Sequence, residues 1–145
     1  MAQPVQTYKN HGRLLYPYHL FVVPVLGANV LVAVRNVWMM PSRRTLWALI
    51  VAAALATLAV VTRSMVLTVQ NRVIRHEMRV RLRDCVPADL RGRINDLTTG
   101  QLIAMRFAGD AEMADIMRDV LAGKLATKKE IKMRVKDWQA DWLRA

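Results

Sequence analysis

The chain has 145 residues, carries a formal net charge of +11 and is 54% hydrophobic. Its charge is divided: residues 1–76 hold eight Lys/Arg and no acid, and residues 77–145 hold fourteen basic and eleven acidic side chains. That division excludes a uniformly basic globule, and the single cysteine, Cys85, excludes an internal disulfide or a thiolate metal cluster built from one chain.

The pattern predicts an all-α membrane protein: a transmembrane helical hairpin whose long second helix extends into the cytoplasm, followed by a small helical C-terminal domain. Residues 1–17 read as a polar, cytoplasmic N-terminal tail. The first apolar stretch then runs from about Tyr18 to Met40. A helix of that length covers roughly 35 Å, enough to cross a hydrocarbon core of about 30 Å. Arg35 is expected to snorkel to the interface, and Trp38 marks that interface. Pro24 leaves the carbonyl of Leu20 without its usual partner and predicts a kink. The stretch is not read as a cleaved signal peptide. It starts after a polar tail, contains Pro24 and leads directly into a second apolar run.

Pro41 stops the first helix and Ser42 is the expected N-cap of the second. The second span covers about residues 42–62 and has no charge from Leu46 to Thr62. The turn between them is too short for anything but an antiparallel pair. Ala48, Ala52 and Ala56 form a stripe of small residues that permits close helix approach, with Gly27 as a small counterpart on the first span. Asn29 is the strongly polar residue deep in the apolar region. It is read as a helix–helix contact, either with the second span or with another protein. Lys9, Arg13, Arg63, Arg72, Arg75, Arg79 and Arg81 outnumber Arg35, Arg43 and Arg44 on the hairpin side. This predicts both termini in the cytoplasm, with the chain multi-pass in a cell inner membrane.

No Gly or Pro occurs between Ser42 and Val86, so one helix is expected from about Ser42 to Asp84. Residues 63–93 read as a basic stalk and link. Its Arg63, Arg72, Arg75 and Arg79 are candidates for binding lipid headgroups, at about 1 kcal/mol per basic residue near an anionic surface, or for binding a partner. Residues 94–145 read as a three-helix cytoplasmic domain. Thr98 with Gln101 and Thr127 with Glu130 are capping boxes, and Asp110 is the expected cap of the helix between them. The first of these helices is expected to end at Gly109 and the second at Gly123. In the last, Ile131, Val135, Trp138 and Trp142 fall on one helical face and form the expected domain core.

Four stretches carry a family resemblance: Tyr8-Lys9-Asn10-His11, Gln70 through Arg75, Leu97 through Asp110, and Lys132 through Asp141. On these the chain resembles a family of small bacterial proteins with two predicted membrane spans, classified only as a domain of unknown function. The resemblance implies the membrane hairpin and the helical domain, and it implies no activity. The arginine-rich run 79–93 and Cys85 depart from the family pattern.

Chemistry-bearing motifs are sparse. His19, at the head of the first span, is a weak candidate ligand for haem or a pigment, and an interfacial histidine is the plainer reading. His76 lacks a second histidine at helical spacing, so it makes no metal motif. His11 reads as structural, docking the tail against the C-terminal domain. Arg106 and Phe107 suggest an ion pair with Asp110, and basic neighbours suggest a lowered pKa at Cys85. No catalytic residue and no metal site is assigned, and no cofactor of the chain itself is expected. A pigment or haem belonging to a partner stays open. The function expected is that of a non-catalytic accessory or assembly subunit of a larger membrane complex, respiratory or photosynthetic by analogy. Its partners would be other membrane protein subunits and anionic lipids. No nucleic acid is expected, and homo-oligomerisation stays open. The alternatives are a stand-alone organiser of anionic lipids and a membrane-tethered nucleic-acid binder.

Overall fold

The structure is a computed structural model that describes residues 5–12 and 14–142. It is all-helical. Among the described residues the extended pairing is an isolated antiparallel bridge between Ala108 and Trp138. A π-type turn, Pro17–Val22, leads into α1 (Val23–Met39), followed by α2 (Arg43–Cys85) and α3 (Ala88–Arg91). A 3-10 turn, Ile94–Asp96, precedes α4 (Thr99–Met105), α5 (Asp110–Leu121) and α6 (Lys128–Arg134). Two helical stretches, Pro17–Met39 and Arg43–Cys85, are long and apolar enough to span a membrane. The chain divides into two compact units, residues 14–68 and residues 1–13 with 69–144.

In the unit of residues 14–68, Pro24 widens the helix ahead of it. Proline has no N–H to give Leu20, so the ladder upstream shifts register, and Val23 N–H bonds Tyr18 O five residues back. The expected kink is therefore accommodated as a π-type turn. At the other end α1 stops before Pro41, and Ser42 caps α2. Thr45 N–H donates to Ser42 Oγ (3.1 Å) and Ser42 N–H donates to Thr45 Oγ1 (2.9 Å). Tyr18 OH donates to Ala59 O (3.0 Å), and the Arg63 guanidinium lies 6.0 Å from the Tyr18 ring centroid. Small residues are the covered ones here: Ala33 on α1 and Ala52 on α2 are buried. Their neighbours face outward, including Phe21, Leu31, Leu58 and Val60.

In the other unit, the end of α2 supplies Ile74, Met78 and Leu82 at fourth positions to the core. Val86, Leu90, Ile94 and Leu97 between α2 and α4, Leu102 and Met105 of α4, Met113, Ile116 and Met117 of α5, and Ile131 of α6 add to it. Both capping boxes form as expected: Gln101 N–H to Thr98 Oγ1, and Glu130 N–H to Thr127 Oγ1. Backbone N–H groups of Thr127 and Ala126 hold the Glu130 carboxyl below its ordinary pKa. α5 ends in a left-handed Gly123 (φ 74°), with Lys124 N–H bonded to Asp119 O and Gly123 N–H to Val120 O. These two bonds satisfy carbonyls that the helix end leaves open, and glycine adopts the left-handed geometry without a Cβ penalty.

Three expectations are corrected in this unit. α6 ends at Arg134, so Ile131, Val135, Trp138 and Trp142 do not share a helical face. Ile131 is fully buried, whereas Val135, Trp138 and Trp142 are half-buried on an extended segment. The cause is competition for backbone donors. The Glu112 carboxylate accepts from Lys136 N–H and Asp137 N–H, and Phe107 O accepts from Gln139 N–H (2.7 Å). α4 likewise ends at Met105 rather than Gly109. The chain leaves the helix through a turn closed by Ala108 N–H to Met105 O (2.9 Å), and Arg81 donates to the carbonyls of Arg106 (3.2 Å) and Ala108 (2.7 Å) that the helix no longer uses. Gly109, not Asp110, is the N-cap of α5.

Candidate functional site

Within the unit of residues 1–13 and 69–144, the N-terminal tail is fastened to the C-terminal segment. Asn10 folds the tail into a turn by accepting from Thr7 N–H and donating to Val5 O. This turn presents Gln6, a polar side chain only 3% exposed. Its amide is engaged at both ends. Gln6 Oε1 accepts from Trp138 Nε1 (3.2 Å) and Asp141 N–H (2.9 Å), and Nε2 donates to Asp141 O (3.1 Å). Sequence reasoning missed Gln6. Nothing in its neighbours marks it, since its partners lie 132 and 135 positions away.

Behind Gln6 an aromatic and cationic cluster closes the clasp. Phe107 is fully buried and stacks on Trp138, with ring centroids 4.5 Å apart and 17° between planes. The His11 ring stands edge-on to Phe107 at 5.7 Å and stacks with Tyr8 at 5.5 Å. Lys132 Nζ lies 2.9 Å from His11 Nε2. An ammonium can only donate, so Nε2 accepts and the ring proton sits on Nδ1, toward Tyr8 O at 2.6 Å. His11 thus docks the tail, as expected. Three of the four stretches that carry the family resemblance meet in this cluster.

The acid–base partners differ from the expected ones. Arg106 pairs with Asp141 (2.7 Å) rather than Asp110, and its guanidinium lies 4.2 Å from the Phe107 ring centroid. Asp110 pairs instead with Arg81 (2.6 Å). Asp115 pairs with Arg118 (3.0 Å) along α5.

The Cys85 thiol is pushed up, not down. Burial is the main cause, with the nearby Asp110 carboxylate second, and both oppose formation of a thiolate. Its Sγ donates to Arg81 O (2.6 Å). The folded state therefore favours the protonated thiol. Its contribution to stability is complete below the unfolded-state pKa and is lost as pH rises through the higher folded-state value. Native protein at pH 7.5 is expected to react with maleimide well below the rate of urea-unfolded protein. Equal rates would contradict the assignment.

An open groove of about 340 Å³ adjoins the clasp, lined by Thr7, Tyr8, Lys132, Met133, Val135, Lys136 and Trp138. Two ammonium groups beside aromatic walls suit a carboxylate or another small anion carried on an apolar stem. Among the described residues no cluster of three His, Cys, Asp or Glu side chains has metal-holding geometry.

Of the remaining sequence candidates, His19, Gly27, Asn29, Ala48, Ala52, Ala56 and Arg63 belong to the unit of residues 14–68. His19 Nδ1 faces Leu15 O at 3.0 Å. Ala52 is buried and Ala56 half-buried, whereas Ala48, Gly27 and Asn29 are exposed. The covered small residue of α1 is thus Ala33 rather than Gly27, and Asn29 makes no hydrogen bond to the second apolar helix. Arg72 is exposed, Arg63, Arg75 and Arg79 are half-buried, and Arg79 Nε has no acceptor.

Residues 1–145 match the model of a family described as a family of unknown function (DUF6526). No curated protein and no solved structure matches the chain.

Proposed function

The chain belongs to this family of unknown function, and on that premise we propose that it is a non-catalytic accessory subunit of a larger membrane protein complex. It enters the bilayer as a two-helix hairpin with both termini on the cytoplasmic side of a cell inner membrane. The outward side chains of its two long helices support insertion. In each helix only 6% of the most apolar window is buried within the chain. Leu31 is 72% exposed and Val60 64%. Soluble surfaces rarely carry contiguous apolar area of this extent, and lipid covers it without cost.

The observation that carries the subunit reading is Asn29. It stands in the middle of α1, exposed, and makes no side-chain hydrogen bond among the described residues. A bare amide at that depth costs free energy in hydrocarbon, and a polar contact from a neighbouring helix removes the cost. The chain's own second helix does not supply that contact, so a helix of another protein does. The lysine-rich groove beside Trp138 offers a second contact, suited to an acidic side chain of the same partner.

The test is purification of the tagged chain from its native membrane in mild detergent. A stoichiometric second membrane protein is expected. Asn29→Leu is expected to release that protein while the variant stays in the membrane fraction. A chain that runs alone or only with copies of itself, or a complex indifferent to Asn29→Leu, overturns the reading.

A further inference from the structure

The last turns of α2, within the unit that holds the clasp, carry two apolar faces. One is the core face of Ile74, Met78 and Leu82. The other is made by Val69, Val73 and Val80, which are 60%, 49% and 46% exposed. At about 100° per residue the three valines fall within roughly 40° of one another, and roughly 160° from the core face. β-Branched residues have no helical advantage on a solvated surface, and their recurrence on one exposed line calls for a partner.

The charges flanking that line identify the partner. Placing Val73 and Val80 at position a of a heptad puts Val69, His76 and Arg83 at d. Position g is then Arg72 and Arg79, and position e is Glu77 and Asp84. Each cation thus precedes an anion by five residues, which is the separation across which g and e side chains meet in a parallel two-stranded coil. Two parallel copies pair Arg72 with the other chain's Glu77, and Arg79 with its Asp84. Antiparallel copies would oppose arginine to arginine and acid to acid. Within the chain these groups are uncommitted. Among the described residues Arg72, Glu77, Arg79 and Asp84 enter no ion pair, and Arg79 Nε is buried without an acceptor.

We infer that α2 pairs with α2 of a second copy of this chain, as a short parallel coiled coil along Val69, Val73 and Val80. The seam covers about two heptads and carries His76 and Arg83 at d, so it is weak between chains free in solution. Confinement of the apolar helices to one bilayer raises the local concentration, and this clause alone rests on the proposed insertion. The charge pattern stands without it, and pairing of like chains leaves Asn29 available for a different protein.

Disulfide cross-linking of the full chain in isolated membranes, with copper–phenanthroline and dioxygen as the oxidant, tests the pairing, with Cys85→Ala as background. Val73→Cys and Val80→Cys are expected to give cross-linked dimers, and Arg75→Cys, on another side of the helix, is not. In the Val73→Cys chain, Arg72→Glu/Arg79→Glu and Glu77→Arg/Asp84→Arg each put like charges together. Each is expected to lower the dimer yield by about tenfold or more. Co-expression of the two reversed chains, with different tags, restores cross-linking between them. The inference is overturned if Arg75→Cys cross-links as well as Val73→Cys, if the reversals leave the yield unchanged, or if the mixed chains fail to recover it.

Discussion

Phe107→Ala is expected to lower the unfolding free energy of the C-terminal unit by about 3–5 kcal/mol, the usual cost of deleting a buried aromatic side chain. Phe107 is fully buried and stands at the centre of the aromatic and cationic cluster. Trp138 stacks on it, Arg106 covers it, and His11 and Lys132 approach its edge and face. Alanine removes the ring that orients these groups, and the space cannot collapse easily because Trp138 is also held by Gln6. The loss is a large fraction of the roughly 5–15 kcal/mol that stabilises an ordinary domain. Urea unfolding of the detergent-solubilised chain, followed by near-UV circular dichroism, measures it. A second readout separates the clasp from the general core. Trypsin cleavage at the exposed Lys9 is expected to accelerate under native conditions, because the tail loses its docking surface. Leu102→Ala, in the core and not itself one of the clasp's side chains, is expected to destabilise without exposing Lys9 selectively. A Phe107→Ala loss below about 1 kcal/mol would mean that the cluster is not the keystone described.

The parts of this fold that were legible in the sequence are those set by neighbours. The capping boxes at Thr98 and Thr127 place both partners within three residues, so spacing alone identifies them. The left-handed stop at Gly123 and the unbroken run of α2 follow from where glycine and proline occur. What escaped is set by distant groups. α6 continues as a helix by pattern, through Val135 to Trp142. The Glu112 carboxylate, more than twenty positions upstream, captures the two N–H groups that the next turn needs. Arg106 has Asp110 four residues away, but Arg81 reaches Asp110 first and leaves Arg106 to Asp141. Gln6 lies in a tail whose composition resembles any solvated terminus, and its burial becomes visible only once Trp138 and Asp141 are beside it. In the apolar region, spacing found the alanine stripe but not which part of it is covered, because a small residue permits approach from either side. Asn29 was legible as polar in an apolar run, while its outward direction was not.

Arg106→Met is expected to cost about 2–4 kcal/mol, near the range for breaking a buried ion pair by removing one partner. The Arg106 side chain is 8% exposed and Asp141 26%, so the carboxylate retains some water and the cost lies toward the lower end. Besides Asp141, the guanidinium bonds Ile103 O (2.9 Å) and faces the Phe107 ring. Lysine cannot reproduce that fork, so Arg106→Lys is expected to recover little. Asp141→Leu, made alone, removes the carboxylate that faces the buried guanidinium and is expected to cost a similar amount. The double substitution is expected to cost less than the sum of the two, by about 1–2 kcal/mol, because neither charge is then left behind. Strict additivity in that cycle would show that the pair contributes nothing beyond its separate contacts. The pair also connects the core to the tail. The backbone N–H and C=O of Asp141 are the groups that Gln6 holds, so a displaced Asp141 releases the N-terminus from the C-terminal side. Phe107→Ala and Arg106→Met should therefore converge on the same faster cleavage at Lys9, one by removing the surface under the tail and the other by moving the segment that grips it.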